Sequence, residues 1–309
     1  MIIAVPAWWL GRMFPVVGAP IFAILAGILL SFVPRPLSLE SGIRFSGKKI
    51  LQYSIVFLGF SLDLGVVARV GAQSLVVMIF TLSAAFVTAW LVGKALRIDA
   101  NTKVLIGVGT SICGGSAIAA VAPVIDADNK EVAFAISTIF LFNIVAVFVF
   151  PALGRLMRMS DSQFGLWAGT AINDTSSVVA AAFSYSDEAG RYATVVKLTR
   201  TLMIIPVTLL LAFSRKRSLD KKGGSIHFRR IFPWFVLGFL ASSCVRTVAL
   251  VPVTACTILN DVGKFGICVA MVAIGLNTRP RELVRNGMRP IILGLACWTA
   301  VAVTSLLLR

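Results

Sequence analysis

Apolar runs follow one another along almost the whole of this 309-residue chain. A helix needs about 20 apolar residues to cross the hydrocarbon of a bilayer. Only 14% of the residues are charged and 58% are hydrophobic, whereas about 25% of a soluble domain is charged. The runs are continuous rather than alternating, which excludes a transmembrane β-barrel. The sequence therefore predicts an all-α polytopic membrane protein.

About 10 to 11 transmembrane helices are expected, because the first of the apolar runs is short and interrupted by proline. Whether this first run crosses the membrane is left open. The predicted spans are residues 2–14, 17–34, 42–62, 72–95, 103–124, 131–153, 162–185, 191–213, 231–250, 255–277 and 288–308.

The distribution of basic residues predicts the orientation. Most of the 29 Lys and Arg residues fall in alternate loops, and loops rich in these residues stay in the cytoplasm. We therefore expect a bacterial cytoplasmic (inner) membrane protein whose carboxy terminus is periplasmic. The net charge of +16 then serves as an orientation signal, so no nucleic-acid partner is expected.

The whole chain, 1–309, is expected to form a single integral membrane domain. Its longest polar segment, 214–230, reads as a basic cytoplasmic linker between two parts of that domain. The five cysteines lie in or beside predicted spans without a C-x-x-C pair. We expect no disulfide, no metal site and no cofactor.

Self-comparison reveals a repeat. The 25 residues from Gly47 align without gaps with those from Gly263, with six identities that include Lys48 and Lys264. In the predicted topology the two copies cross the membrane in opposite senses, which is typical of secondary transporters. A second likeness, between GTSICGGSAIAAVA from Gly109 and GTAINDTSSVVAAA from Gly169, joins spans of the same direction. The two signals are not reconciled by the sequence.

The segment GVGTSICGGSAIAAVAP, 107–123, places four glycines inside a predicted span. Each glycine weakens a helix by about 1 kcal/mol relative to alanine, so Gly114 and Gly115 predict a break. The amino terminus of the half-helix beyond it would attract an anion, with Thr110, Ser111 and Ser116 as further donors. The alternative is that the small residues only let helices pack closely.

A second polar stretch lies in the predicted span 162–185. Asn173, Asp174, Thr175 and Ser176 follow one another among apolar residues. A carboxylate at membrane depth costs roughly 2.5–3.5 kcal/mol and usually marks an ion or substrate pathway. This stretch favours a second break or the lining of a wet cavity. Asp174 is expected to carry a coupling proton, to bind a cation, or to pair with a membrane base.

Two bases lie in the next span. Lys197 and Arg200 are three positions apart (i, i+3) and so share one helical face. Lys197 has the alternative of extending to the membrane interface, and Arg200 that of pairing with Asp174. The planar guanidinium of Arg200 suits an oxyanion, and two bases against one acid leave a charge that an anionic substrate could neutralise.

Signals for an enzyme are absent from the sequence. His227, the only histidine, lies in the basic linker, which removes a histidine-based triad or zinc site from the membrane. An intramembrane enzyme built on Asp174 and Lys197 would need a second acid at membrane depth, and the sequence offers none. We expect no enzyme activity and no catalytic residue.

The chain resembles the YeiH-type family of bacterial inner-membrane proteins, which are named as sulfate exporters. The resemblance covers nearly the whole length and is most specific at GTSICGGSAIAA (109–120), FGLWAGTAINDTSSVVAAAFSY (164–185), ATVVKLTR (193–200) and MVAIGLNT (271–278). The resemblance implies a relationship to transporters that are built from inverted repeats with crossed, interrupted helices. It also implies that the activity is anion export.

These features together predict a secondary transporter of a small anion, sulfate-like or sulfonate-like, working by alternating access. A passive anion channel and a non-transporting receptor or assembly protein are the alternatives. Besides lipid and the anion, a coupling proton or cation and a homo-oligomer are open as partners. The predicted substrate-binding residues are Thr110, Ser111, Gly114, Gly115, Ser116, Asn173, Asp174, Thr175, Ser176, Lys197 and Arg200.

Overall fold

A computed structural model describes residues 2–14, 18–36, 38–214, 234–278 and 288–308, and every regular element in these ranges is helical. Five of the helical stretches are long and apolar enough to cross a membrane, which confirms the polytopic α-helical class. They are Leu64–Ala95, Asn129–Leu156, Asp187–Leu211, Val253–Asn277 and Met288–Leu307.

Four short helices precede the first long one. A π-helical turn, Ser46–Ile50, joins the third to the fourth. The first helix has ten residues, or about 15 Å, which is about half the thickness of the hydrocarbon. The predicted span 2–14 is therefore too short to cross the membrane by itself. The four are α1 (Ala4–Met13), α2 (Ala19–Leu30), α3 (Ser38–Phe45) and α4 (Leu51–Leu58).

The predicted spans 103–124 and 162–185 are each divided into two shorter helices, as their glycine and polar residues predicted. The remaining helices are α5 (Leu64–Ala95), α6 (Ala100–Ser111), α7 (Gly115–Val121), α8 (Asn129–Leu156), α9 (Asp161–Ala171), α10 (Thr175–Tyr185), α11 (Asp187–Leu202), α12 (Ile204–Ser214), α13 (Trp234–Thr247), α14 (Val253–Asn277) and α15 (Met288–Leu307).

The predicted span 191–213 begins earlier than expected, at Asp187, and is divided at Met203. Pro206 has no backbone N–H and cannot bond to the carbonyl of Leu202, which is where α11 ends. The predicted linker 214–230, apart from Ser214 at the end of α12, lies outside the described residues. The end of the second repeat copy, 279–287, lies outside them as well.

The helices form two groups. In the first, which we call the panel, α14 packs on α2 and α4, α13 packs on α4, and α1 and α3 complete the group. In the second, the bundle, α5 and α9 pack on α15, α9 and α10 pack on α11, and α6 and α10 pack on α8. The two groups meet where α2 and α14 contact α10 and where α13 contacts α5.

The repeat is visible in the packing of the panel. A Cβ on Gly47 would lie 3.4 Å from the side chain of Ile274, and a Cβ on Gly263 would lie 3.5 Å from the backbone of Leu58. Gly47 aligns with Gly263 and Leu58 with Ile274, so each contact is the image of the other. Such reciprocal contacts are the property of a two-fold axis, and they place α4 antiparallel to α14.

A second reciprocal pair extends the symmetry to the neighbouring helices. Gly59 and Gly275 are equivalent in the repeat. Gly59 lies against the backbone of Phe239 in α13, whereas Gly275 lies against Ile24 and Gly27 in α2. Helix α4 is thus equivalent to α14, and α2 is equivalent to α13. The predicted inverted repeat explains how these four helices of the panel are arranged.

Candidate functional site

The first break separates α6 from α7. Helix α6 ends at Ser111, and Gly114 has φ +70° and ψ −130° before α7 begins. This left-handed conformation strains any residue with a Cβ, which is why a glycine stands here. The carbonyls of Thr110, Ser111 and Ile112 fall at the end of α6, where no further turn of the helix supplies N–H donors.

The second break separates α9 from α10. Ile172 and Asp174 are extended, with ψ of 133° and 145°. Asp174 is the N-cap of α10, because its carboxylate accepts a hydrogen bond of 2.9 Å from the amide of Ser176 and another from the hydroxyl of Ser176. The run of small polar residues therefore ends one half-helix and begins the next.

The two breaks lie side by side. A Cβ on Gly114 would lie 3.6 Å from the Cβ of Asp174. The amide of Asp174 donates a hydrogen bond of 3.2 Å to Oδ1 of Asn143 in α8. The carboxyl ends of α6 and α9, each bearing the negative end of a helix dipole, are thereby held close to one another.

Lys197, on α11, connects the two breaks. Its ammonium donates to the carbonyl oxygens of Ile112 at 2.8 Å, of Ile172 at 3.0 Å, and of Asn173. The residue is 0% exposed. It does not extend to an interface, as one interpretation of the sequence had it, but bridges both breaks.

Arg200 completes the bridge one turn further along α11. Its Nε donates to the carbonyl of Ser111 at 2.6 Å, and its Nη atoms donate to the carbonyls of Thr110 and Thr170. It is also 0% exposed. Within the described residues neither base forms an ion pair with Asp174, so the guanidinium fork serves the backbone of the two broken helices.

Close packing of α9 on α11 makes this reach feasible. A Cβ on Gly169 would lie 2.8 Å from the Cβ of Val196, and one on Gly165 would lie 2.8 Å from the Cβ of Tyr192. The two glycines are one turn apart and let the helix backbones approach. The bases of α11 thus lie within hydrogen-bonding distance of the end of α9.

Several buried polar groups at the breaks have no partner among the described residues. They are both polar atoms of the Asn173 side chain, Nδ2 of Asn143 and Oγ1 of Thr110. Buried polar groups in native proteins are nearly always hydrogen-bonded to protein, water or ligand. Where the two breaks lie side by side, buried donors and acceptors therefore remain that the helices themselves do not use.

A cavity of about 650 Å³ lies at the start of α10, and we call it the amino-end cavity. Its polar lining comes from both breaks and from the panel. Among the described residues, Arg44 and Lys48 are the cations of its lining and Asp174 is the carboxylate. The other polar lining residues are Gln52, Ser116, Ser137, Thr175, Ser176, Asn277 and Thr278.

The structure divides the sequence-predicted site residues into two sets. One set lines the amino-end cavity and consists of Gly115, Ser116, Asp174, Thr175 and Ser176. The other set, outside this cavity, forms the bridged breaks and consists of Thr110, Ser111, Gly114, Asn173, Lys197 and Arg200. That any of them binds a substrate stays a prediction.

Sequence reasoning missed the contribution of the panel to this cavity. Arg44 and Lys48 lie near the start of the predicted span 42–62 and were not among the predicted site residues, yet both line the cavity. The signal for Lys48 was its place in the repeat, opposite Lys264. A second signal lies only in the structure, since Lys48 belongs to the π-helical turn, and such turns are frequent at functional sites.

Comparisons with known proteins identify the family. A family described as conserved hypothetical protein 698 matches residues 1–294. The chain belongs to this family. A UPF0324 membrane protein of Streptococcus mutans is 46% identical over 317 residues, which cover 99% of this chain and 93% of the relative. A UPF0324 membrane protein of Fusobacterium nucleatum is 42% identical over 327 residues, with coverage of 99% and 94%.

These relatives agree with the helices in describing a membrane protein. The family description is broader than the sulfate-exporter resemblance of the sequence, and the narrower name stays a prediction. The family match covers both breaks, α11 and the panel helices, so all parts of the candidate site lie within the shared region.

Replacing Arg200 with alanine should lower the free energy of unfolding by on the order of 3 kcal/mol, because buried carbonyls at the ends of α6 and α9 lose charged donors. The free energy of unfolding of Arg200→Lys should lie between those of the wild type and Arg200→Ala, since lysine keeps the charge but lacks the planar guanidinium fork. The thermal melting of each variant in detergent measures the loss of stability. Thr199→Val is the matched control, because the Thr199 hydroxyl donates within α11, to the carbonyl of Val195. Equal melting of Arg200→Ala and Thr199→Val would contradict this role.

Proposed function

We propose that this chain is a secondary transporter of a small anion, sulfate-like or sulfonate-like, in the cytoplasmic membrane of a bacterium. The observation that supports it most is the amino-end cavity, where the panel and two broken helices of the bundle meet. Discontinuous helices beside a polar cavity are the usual binding architecture of secondary transporters.

The charge of the cavity favours an anion. The described lining residues include two cations, Arg44 and Lys48, and one carboxylate, Asp174, so one positive charge is left over among them. The hydroxyls of Thr175 and Ser176 begin α10, whose amino terminus carries the positive end of the helix dipole. An oxyanion here would meet both hydrogen-bond donors and favourable charge.

The size of the cavity suits a small solute. A volume of about 650 Å³ is within the range of ligand sites, about 300–1,000 Å³. Apolar residues such as Ile55, Phe140 and Ile144 share the lining with the polar groups. A sulfonate, which joins an oxyanion to an apolar group, would match both kinds of surface.

Lys197 and Arg200 support this function indirectly. Their donors are bound to backbone carbonyls at the carboxyl ends of α6 and α9, so in this conformation they stabilise the breaks rather than face the cavity. This refines the sequence-based proposal, in which both bases contact the anion. The breaks that they stabilise place Ser116 and Ser176 at the cavity.

Asp174 is the proposed coupling residue. Its carboxylate accepts from the amide and the hydroxyl of Ser176, and these are donors that an anion in the cavity would use. Protonation of Asp174 would weaken its hold on Ser176 and remove a negative charge from the site. Binding of the anion and of a proton would then reinforce each other, which is thermodynamic coupling.

Replacing Lys48 with glutamine should weaken anion binding about tenfold, a loss of about 1.4 kcal/mol, because the cavity loses a cation. Uptake of radiolabelled sulfate and of a small sulfonate into proteoliposomes measures it. Lys49→Gln is the matched control: it removes the same charge from the same π-helical turn, but Lys49 lies over Trp234 and outside the cavity lining.

Uptake that Lys48→Gln and Lys49→Gln reduce equally would overturn the assignment of the cavity. If the wild-type protein takes up neither sulfate nor the sulfonate, the proposed function is overturned. Uptake that follows the anion gradient alone would favour a channel.

Replacing Asp174 with asparagine should remove the dependence of uptake on a pH gradient, because the amide cannot exchange a proton. The helix cap is retained, since asparagine is as good an N-cap as aspartate. The measurement is initial uptake with and without an imposed pH gradient, at the substrate concentration that half-saturates each protein. A variant that is still driven by the gradient would exclude Asp174 as the coupling residue.

A further inference from the structure

A second cavity lies at the other end of α10. It has a volume of about 390 Å³, and we call it the carboxyl-end cavity. Its lining includes Tyr185 at the end of α10 and Asp187 at the start of α11. Lys264 and Cys268 of α14 line it as well. Helix α10 has eleven residues, or about 16 Å, so a short helix separates the two cavities.

The panel and the bundle are bound together at this end. Nζ of Lys264 in the panel lies 2.5 Å from Oδ2 of Asp187 in the bundle. Gly18, at the start of α2, approaches α10 so closely that its Cβ would lie 2.5 Å from the Cα of Ser184. The carboxyl-end cavity is the smaller of the two, and an ion pair and a close backbone contact join the panel to the bundle beside it.

The two cavities contain equivalent lysines. Lys48 aligns with Lys264 in the repeat, and the antiparallel packing of α4 on α14 carries the two toward opposite ends of the pair. Lys48 lines the amino-end cavity and Lys264 the carboxyl-end cavity. Each cavity also contains an aspartate at an end of α10, Asp174 at its start and Asp187 just beyond its end.

One lysine is paired and the other is not. Lys264 binds Asp187, whereas Lys48 forms no ion pair with any described carboxylate. Because Lys48 and Asp174 line one cavity, a modest approach of the panel to α10 at that end would bring them together. The same motion would separate Lys264 from Asp187 at the other end.

We propose that the Lys264–Asp187 ion pair and a Lys48–Asp174 ion pair are alternative closures of the two ends of α10, one for each access state of the pathway. In the conformation described here the closing ion pair at the carboxyl end is formed, and the one at the amino end is not. The proposal rests on the proposed transport function, because it assigns the access path of that site. Its test measures accessibility and needs no flux.

The native cysteine Cys268 reports on the carboxyl end. It lines the carboxyl-end cavity and is 0% exposed. An introduced cysteine, Ala119→Cys, reports on the amino end, because Ala119 is exposed and lines the amino-end cavity. The exposed Cys244 is replaced by serine in all proteins, and labelling by a membrane-impermeant maleimide in nanodiscs is assigned by peptide mass spectrometry.

Replacing Lys264 with glutamine should raise the labelling rate of Cys268 about fivefold, the upper range for loss of a partly exposed ion pair, and lower that of Ala119→Cys. Lys48→Gln should not raise Cys268 labelling. Glu188→Gln is the matched control, because Glu188 pairs with Arg191 within α11 and should change neither rate.

Opposite changes at the two reporters would support the exchange of closures, because unfolding raises both rates together. Unchanged rates, or rates that rise together in Lys264→Gln, would overturn the proposal. A failure of uptake with intact reciprocal labelling would overturn the proposed function alone and leave the exchange of closures supported.

Discussion

Two buried cations on α11 hold the rest of the structure in place. Lys197 and Arg200 donate to the backbone carbonyls at which α6 and α9 end. In a membrane, backbone groups freed by a broken helix have no water to bind and each costs several kcal/mol if unpaired. The positive charges also lie where two helix dipoles present their negative ends. Without these donors the carbonyls at both breaks would be buried and unpaired, and the broken conformation would be destabilised.

This arrangement separates the charge that maintains the fold from the charge that we propose to recognise an anion. The bases of α11 are bound to the carboxyl ends of the first half-helices, whereas the start of α10 and the cations Arg44 and Lys48 line the amino-end cavity. The panel that supplies Lys48 is symmetric, since α2–α4 and α13–α14 make reciprocal contacts. Two cavities of different volume, one at each end of α10 between a symmetric panel and a bundle, are a geometry from which alternating access can follow.

The sequence predicted most of this fold from local signals. Glycines at 114 and 115 and the polar run at 173–176 indicated the breaks, because they weaken a helix regardless of its neighbours. The partners of Lys197 and Arg200 were not predictable in this way: a base in a span reads equally as a ligand for an anion, as an ion pair with Asp174 or as an interfacial residue, and only the packing of Gly165 and Gly169 on α11 decides for the carbonyls. The cavity was predicted only in part, because Lys48 comes from a distant helix and a π-helical turn that the hydrophobic pattern does not reveal.

The most direct test of the account is the position of a bound oxyanion. Selenate, a heavy analogue of sulfate, gives an anomalous X-ray signal that locates it in crystals of the protein grown with saturating ligand. The account predicts a peak in the amino-end cavity, within hydrogen-bonding distance of Ser176 and near Lys48, with Lys197 and Arg200 still bound to the carbonyls of the breaks. A peak coordinated by Arg200, or no peak at the start of α10, would contradict it.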